Sequence, residues 1–201
     1  MSLNPNRSTM VILIVGEFIF GLGDSLLIAA GVGNTPWTVL AEGIALTAEV
    51  WTIGEATFLV SIAVMFLWIP IKETPGIGTI LNIIIIALTI HVMVPILPQT
   101  ENFLVSILMA SSGILLVGIG STMYLTANLG PGPRDGWMTG LQRATGVPIG
   151  RVRITIEVSV LVIGMVLGGT FGIGTILFAV TIGPVVASCL SIASRIDSTT
   201  R

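Results

Sequence analysis

Long apolar runs alternate with short polar or glycine- and proline-rich breaks along the chain. The runs occupy about residues 10–32, 55–71, 76–97, 104–127, 151–168 and 172–194. Each is close to the ~20 residues that cross the hydrocarbon of a bilayer as a helix. Two weaker stretches, about 36–49 and 133–146, interrupt the series. They follow the turn sequences GVGNTPW and NLGPGPRDG, and they contain Glu42 and Glu49, or Gln142 and Arg143. They are too short and too polar to be spans in their own right. The pattern therefore predicts an all-α membrane protein, a single membrane domain over 1–201 with six transmembrane helices and two short broken or re-entrant ones.

The same pattern occurs twice. GIGTIL stands at 76–81 and again at 172–177. With the sequence slid by 97, Gly16, Gly21 and Gly23 fall on Gly113, Gly118 and Gly120, and Gly33, Pro36 and Gly43 fall on Gly130, Pro133 and Gly140. One residue then drops out, and Ile53 and Gly54 fall on Ile149 and Gly150. Most matches are Gly or Pro, residues that set backbone shape and close approach. The chain is thus read as two repeats, about 10–97 and 104–194, each with three spans and one short helix. In each copy the glycines of GIGT (Gly76 and Gly78; Gly172 and Gly174) admit a sharp entry into a helix. Thr79 and Thr175 are placed to satisfy a free backbone N–H there.

Charge orients this plan. The chain is 53% hydrophobic and only 9% charged, with a mean hydropathy of +1.03, so it has too few charges to cover a soluble globule. In a six-span arrangement all 8 Lys and Arg fall on one side: Arg7, Lys72, Arg134, Arg143, Arg151, Arg153, Arg195 and Arg201. That asymmetry places both termini in the cytoplasm of a bacterial inner membrane. Three crossings per repeat is odd, so the second copy enters the bilayer in the opposite sense, giving an inverted repeat of the kind found in secondary transporters. The N-terminal run is too long, and holds Glu17 and Asp24, so it reads as the first span and not as a cleavable signal. A net charge of −2 gives no nucleic-acid footprint, and one cysteine, Cys189, excludes a disulfide within the chain and reads as a small buried apolar residue.

At GVGNTPWTVL, LWIPIKETPGIGTILN and NLGPGPRDGW…FGIGTILF the chain resembles the YczE/YyaS/YitT family of bacterial integral membrane proteins, its YczE-like branch most closely, over about residues 15–190. The first-half pattern of that family often reads GPWD. Pro36 and Trp37 match it, whereas Thr38 replaces the acid. The second-half GPRDG matches at Gly132–Gly136. The resemblance implies a multi-pass membrane protein, often called a transporter, without naming a substrate or a catalytic residue.

The candidate functional residues are the polar groups inside apolar segments. A charge at the bilayer centre costs about 2.5–3.5 kcal/mol on insertion scales, so Glu17, Asp24 and Glu157 each need a partner or a function. Glu17 and Asp24 are seven residues apart on one helical face. Glu157 stands four residues after Arg153, where a structural ion pair competes with function. His91, the only histidine, reads as deep in the third span, a proton-relay candidate or an interhelical hydrogen bond. Trp37 and Arg134 are equivalent in the repeat, each just after the matched proline; Trp37 also fits an interface anchor. Arg134 and Asp135 fit a clasp for an anionic group, and Asn82 needs a partner or a ligand within its apolar helix. Gly164 and Gly168 form a GxxxG that predicts tight helix packing.

A central cavity between the two short segments and the first span of each half is expected, with Glu17, Asp24, Trp37, Asn82, Tyr124, Arg134 and Asp135 lining it and Glu17, Asp24, His91 and Glu157 as coupling candidates. The reading is a transporter or exporter of a small anionic or zwitterionic solute, coupled to protons through the acids. The alternative is a non-transporting accessory or scaffold protein, and a passive channel is a third class. No nucleophile–base constellation, metal cluster or cofactor motif occurs, so no enzyme, metal or cofactor is expected. The bilayer and a small solute are the expected partners, with a homodimer as a further option; nucleic acid is not among them.

Overall fold

The structure is a computed structural model that describes residues 6–48 and 51–199, with side chains described through Arg195. Glu49 and Arg201 lie outside the described residues. The described chain is helical: α1 (Arg7–Ala30), α2 (Pro36–Ala48), α3 (Ile53–Phe66), the single turn α4 (Trp68–Ile71), α5 (Ile77–Met93), α6 (Phe103–Ala127), α7 (Pro133–Thr145), α8 (Ile149–Val166) and α9 (Ile173–Thr199). Local chemistry sets the ends. Gly31 and Asn128 adopt the left-handed conformation that closes α1 and α6. Thr52 and Glu55 form a reciprocal capping box at the start of α3, and the Asn102 side chain accepts from two backbone N–H groups at the start of α6. Pro70 has no N–H to offer the preceding turn, and the helix breaks at Leu67, between α3 and α4.

Arg7–Ala30, Ile53–Ile71, Phe103–Ala127 and Ile173–Arg195 are long and apolar enough to cross a membrane. The other two expected spans are weaker. The 17 residues of α5 reach about 25 Å, at the short end of the spanning range. One more turn follows, as the N–H of Leu97 donates to the Met93 carbonyl at 2.9 Å. The 18-residue α8 carries Arg151, Arg153 and Glu157 in its first half. Large side chains such as Val11, Phe18, Leu88, Val158 and Val180 stay exposed on the outside of the bundle, which is the surface a bilayer covers.

Helices α1 and α6 form the centre, in contact backbone to backbone. A Cβ built at Gly23 would stand 2.5 Å from the Gly113 carbonyl oxygen, and one at Gly120 would stand 2.5 Å from that of Gly16. The pairing of 16 with 120 and of 23 with 113 makes the two helices antiparallel. On the outer side of α1, Gly21 abuts Thr89 and Ile86, so α1 packs on α5; α6 packs on α9 through Gly118 and Val185. The short helices cross between halves: α2 lies on α8 and α7 on α3. Gly43 and Gly164 let α2 and α8 touch through backbone, whereas Gly168 lies beyond the end of α8 with φ +95°. Among the described residues two of the apolar clusters join helices from different parts of the chain. One joins Trp37, Val60, Val64, Met138 and Ile156 from α2, α3, α7 and α8; the other joins Leu27, Ile114, Val117, Phe178 and Ile182 from α1, α6 and α9.

The repeated glycine loops interlock. The N–H of Gly78 donates to the Leu129 carbonyl at 2.9 Å, and the N–H of Gly174 donates to the Val32 carbonyl at 2.8 Å. These two bonds are counterparts under the offset found in the sequence. The hydroxyl of Thr79 accepts from the Gly76 N–H at 3.1 Å, and that of Thr175 accepts from the Gly172 N–H at 3.3 Å. The left-handed backbone lies at the receiving loops, with φ +116° at Gly33 and +125° at Gly130. The GIGT glycines are instead required by proximity: a Cβ at Gly174 would stand 2.5 Å from the Gly33 carbonyl oxygen. Polar clasps complete the exchange. Glu42 of α2 accepts from the N–H and hydroxyl of Thr170 at 2.7 and 2.8 Å, and Arg143 of α7 pairs with Glu73.

Gly174→Val is expected to destabilise the fold by more than about 2 kcal/mol, the scale of core overpacking. Gly78→Val, with its nearest backbone atom at 3.0 Å, is expected to cost less. Gly183→Ala, whose Cβ would meet nothing within 4 Å, is expected to leave stability unchanged or slightly higher. Thermal unfolding of the three purified variants in detergent checks the order.

Candidate functional site

The N-terminal ends of α2 and α7 meet inside the bundle. Their second residues are Trp37 and Arg134, counterparts in the repeat, and the Arg134 guanidinium lies over the Trp37 ring at 5.1 Å from its centroid. Trp37 also packs edge-on against Trp137, with centroids 6.4 Å apart. Trp37 is therefore buried in the core and is not an interface anchor. Beside this contact is a cavity of about 110 Å³. It is walled by Thr35, Pro36 and Trp37 of the first half, by Ser121 and Tyr124 of α6, by Arg134, Asp135 and Met138 of α7, by Arg153 and Glu157 of α8, and by Phe178, Ile182 and Val186 of α9.

Most of its charged groups are accounted for by protein partners. Arg153 Nε donates to Glu157 Oε1 at 2.8 Å, the i,i+4 pair legible in the sequence. The Tyr124 hydroxyl donates to Asp135. Asp24, fully buried in α1, accepts from the Thr38 hydroxyl at 2.9 Å while its Oδ1 has no protein partner. Arg134 differs from the others. It is within electrostatic range of Asp24 and Asp135, yet among the described residues no carboxylate oxygen lies within 4 Å of it and it donates no hydrogen bond.

A second, smaller cavity of about 30 Å³ shares the wall formed by Phe20, Tyr124, Arg134 and Asp135, and continues to Thr57, Ser61, Asn82, Ile86 and Gly132. The two cavities are repeat counterparts. Thr57, Ser61, Asn82 and Ile86 stand 96 positions before Arg153, Glu157, Phe178 and Ile182, and Gly132 stands 97 after Thr35. One frame thus appears twice with different side chains. Glu17 is fully buried in α1, lines neither cavity, and has no hydrogen-bond partner on either oxygen.

The sequence-predicted residues thus divide. Trp37, Tyr124, Arg134, Asp135 and Glu157 line the larger cavity, and Asn82 lines the smaller. Asp24 and Glu17 are buried in α1 behind them. Gly76, Gly78, Thr79, Gly172, Gly174 and Thr175 form the interlocked loops at the helix starts. His91 stands apart. It is exposed in the last turn of α5, not deep in a span, because α5 ends at Met93. Its Nδ1 lies 2.9 Å from the Thr52 hydroxyl, on the border of an open groove of about 700 Å³ that also includes Trp51 and Gln99. Cys189 is half-buried and is not enclosed. Sequence reasoning missed Thr38, Ser121, Thr57, Ser61 and Arg153 as site residues. Repeat arithmetic carries a signal for one of them: Ser121 is the counterpart of Asp24.

No solved structure matches the chain. A protein of Haemophilus influenzae is 44% identical over 188 residues, which cover 94% of this chain and 86% of its own length. The uncharacterized membrane protein YczE of Bacillus subtilis is 33% identical, with 84% of this chain and 79% of its own length aligned. YyaS of the same bacterium is 24% identical over 81% of this chain and 83% of its own length. With residues 7–191 matched by one family model, and with YczE and YyaS among its relatives, the chain belongs to the family of unknown function DUF6198, a YczE-like family.

Proposed function

We propose that the protein is a small secondary transporter or exporter of an anionic or zwitterionic solute, held in the larger cavity by Arg134. One observation carries this reading: a guanidinium without a hydrogen-bonded protein partner stands over an aromatic ring where two helix N-termini converge. Helix N-termini and an Arg fork both favour a carboxylate or phosphate group. Glu157 would face the cationic part of a zwitterion, and a volume of about 110 Å³ fits a molecule of few heavy atoms. In the simplest scheme a proton on Asp24, behind Arg134, couples to solute binding.

The architecture supports the proposal. We read the halves as an inverted repeat with α2 and α7 re-entrant, in a bacterial inner membrane with both termini cytoplasmic. The antiparallel α1–α6 pair, the counterpart loop bonds and the meeting of Trp37 with Arg134 are what a two-fold axis in the membrane plane requires. Alternating access would then exchange the roles of the halves around that axis.

In proteoliposomes, uptake of a panel of labelled short carboxylates and amino acids is expected for at least one compound. Arg134→Gln is expected to lower that uptake at least about tenfold, the loss of one charge-assisted anion contact, while Glu101→Gln leaves it unchanged. No flux for any of the panel, together with stable co-purification of one membrane partner, supports the accessory-protein reading instead. In whole cells lacking Cys189, a cysteine at Glu101 is expected to react with an impermeant maleimide, and cysteines at Lys72 and Thr139 are not. External labelling of position 72 removes the six-span inverted arrangement.

A further inference from the structure

Positions matched by the offset of 96 are in contact in one half of the chain and apart in the other. In the first half α3 packs on α5 through backbone. A Cβ built at Gly54 would stand 2.6 Å from the backbone nitrogen of His91 and 2.7 Å from the Ala87 carbonyl oxygen. The matching positions in the second half are Gly150 of α8 and Gly183 and Ala187 of α9. All three are small, but among the described residues a Cβ at Gly150 or at Gly183 would meet nothing within 4 Å. Helix α8 does not pack on α9 and lies on α2 instead. The cavities follow the same difference. The one between Thr57 and Ser61 of α3 and Asn82 and Ile86 of α5 has about 30 Å³, and the one between Arg153 and Glu157 of α8 and Phe178 and Ile182 of α9 has about 110 Å³.

We propose that α8 and α9 are the two leaves of a gate over the larger cavity, which shuts by bringing Gly150 against Gly183 and Ala187 as Gly54 stands against Ala87 and His91. The gate regulates the solute site, so its purpose rests on the transport reading, whereas its geometry does not. Small residues on facing helices admit the backbone contact that joins helices in a bilayer. Glycine weakens a helix relative to alanine, and with both Gly150 and Gly183 exposed neither has a packing role in the open arrangement. Two features make this pair of helices easier to part than α3 and α5. The Thr52 hydroxyl, 2.9 Å from His91 Nδ1, ties the start of α3 to α5, whereas Pro148 and Ala187 hold the matching positions and offer no such bond. Pro184, next to Gly183, gives the Val180 carbonyl no N–H, so α9 bends there at lower cost than α5, which has Leu88 at the matching position. Shutting would press Arg153 and Glu157 toward Phe178 and Ile182 and shrink the larger cavity toward the size of the smaller. In the six-span topology Gly150 is on the cytoplasmic side and Gly54 on the outer side, so the open gate faces the cytoplasm.

Disulfide trapping of the full chain in proteoliposomes tests the gate, with Gly150→Cys and Ala187→Cys in a Cys189→Ser background. A disulfide needs the two Cβ atoms within about 4.5 Å, so a bond within one chain reports the shut arrangement. Under mild oxidation that bond is expected to form. Adding Gly183→Leu is expected to slow it at least about tenfold, the effect of overpacking the contact. Gly183→Leu alone is expected to leave Tm unchanged, because a side chain at 183 has open space while the gate is open. No bond, with both thiols still reactive to maleimide, overturns the proposal. So does a bond between two chains, which would make the glycines an interface between copies, or a bond whose rate Gly183→Leu does not change. Trapping needs no solute, so the two readings fail separately. Flux without the bond removes the gate alone, and the bond without flux for any compound of the panel keeps the closure and removes the transport reading.

Discussion

The direct contact of α1 with α6 is the constraint on which the remaining structure depends. Gly16, Gly23, Gly113 and Gly120 remove the side chains that would hold the two axes apart, and each sits against the backbone of the other helix. In a bilayer this matters more than in water. Lipid tails are as apolar as leucine, so helices associate through close van der Waals packing and polar contacts rather than by hiding apolar surface. Once α1 and α6 touch at this distance, the loops that follow them are carried to the starts of α9 and α5. There the bonds from Gly174 to Val32 and from Gly78 to Leu129 tie each half to the other. Neither half closes without its counterpart.

The same constraint places the polar groups. Because Glu17 and Asp24 lie on the buried face of α1, they cannot turn to water or to the lipid headgroups, and their compensation has to come from neighbouring elements. For Asp24 it comes from Thr38 of α2 and from the charge of Arg134. For Glu17 no such compensation is in place: both its oxygens lack a hydrogen-bond partner. The matched positions of the sequence fall in both environments. Thr57 and Ser61 on one side correspond by the offset to Arg153 and Glu157 on the other, and the two cavities share the wall that carries Arg134 and Asp135. The wall itself is asymmetric: Tyr124 and Asp135, joined by a hydrogen bond, have Leu27 and Thr38 at the matching sequence positions.

The hydrophobic pattern and the glycine register are enough to read the helical membrane class and the order of the eight principal helices, the two proline-started short ones among them. These follow from local physics: apolar length, proline at a helix start and glycine at a turn act over a few residues. The i,i+4 pair of Arg153 and Glu157 was legible for the same reason. Properties that depend on where a helix stops were less secure. His91 lies at the exposed end of α5 because that helix runs only to Met93, and apolar composition alone does not mark the end. Trp37 was ambiguous in the sequence, since a tryptophan at a helix start serves equally at a membrane surface and in a core. Its burial follows from α7, about 97 residues away in the chain.

By itself, then, the sequence determined that the chain is apolar enough for a bilayer, that its glycines and prolines recur in register at an offset of 96 to 97, and that a few acids and one arginine needed explanation. Only the tertiary structure decided which of these groups meet. The contact of Arg134 with Trp37, the bond from Thr38 to Asp24 and the gathering of Thr57, Ser61 and Asn82 around one cavity join residues from separate helices. No periodicity within one helix encodes such meetings. They arise because two glycine-lined helices cross at contact distance, and that crossing sets the register of every element packed around them.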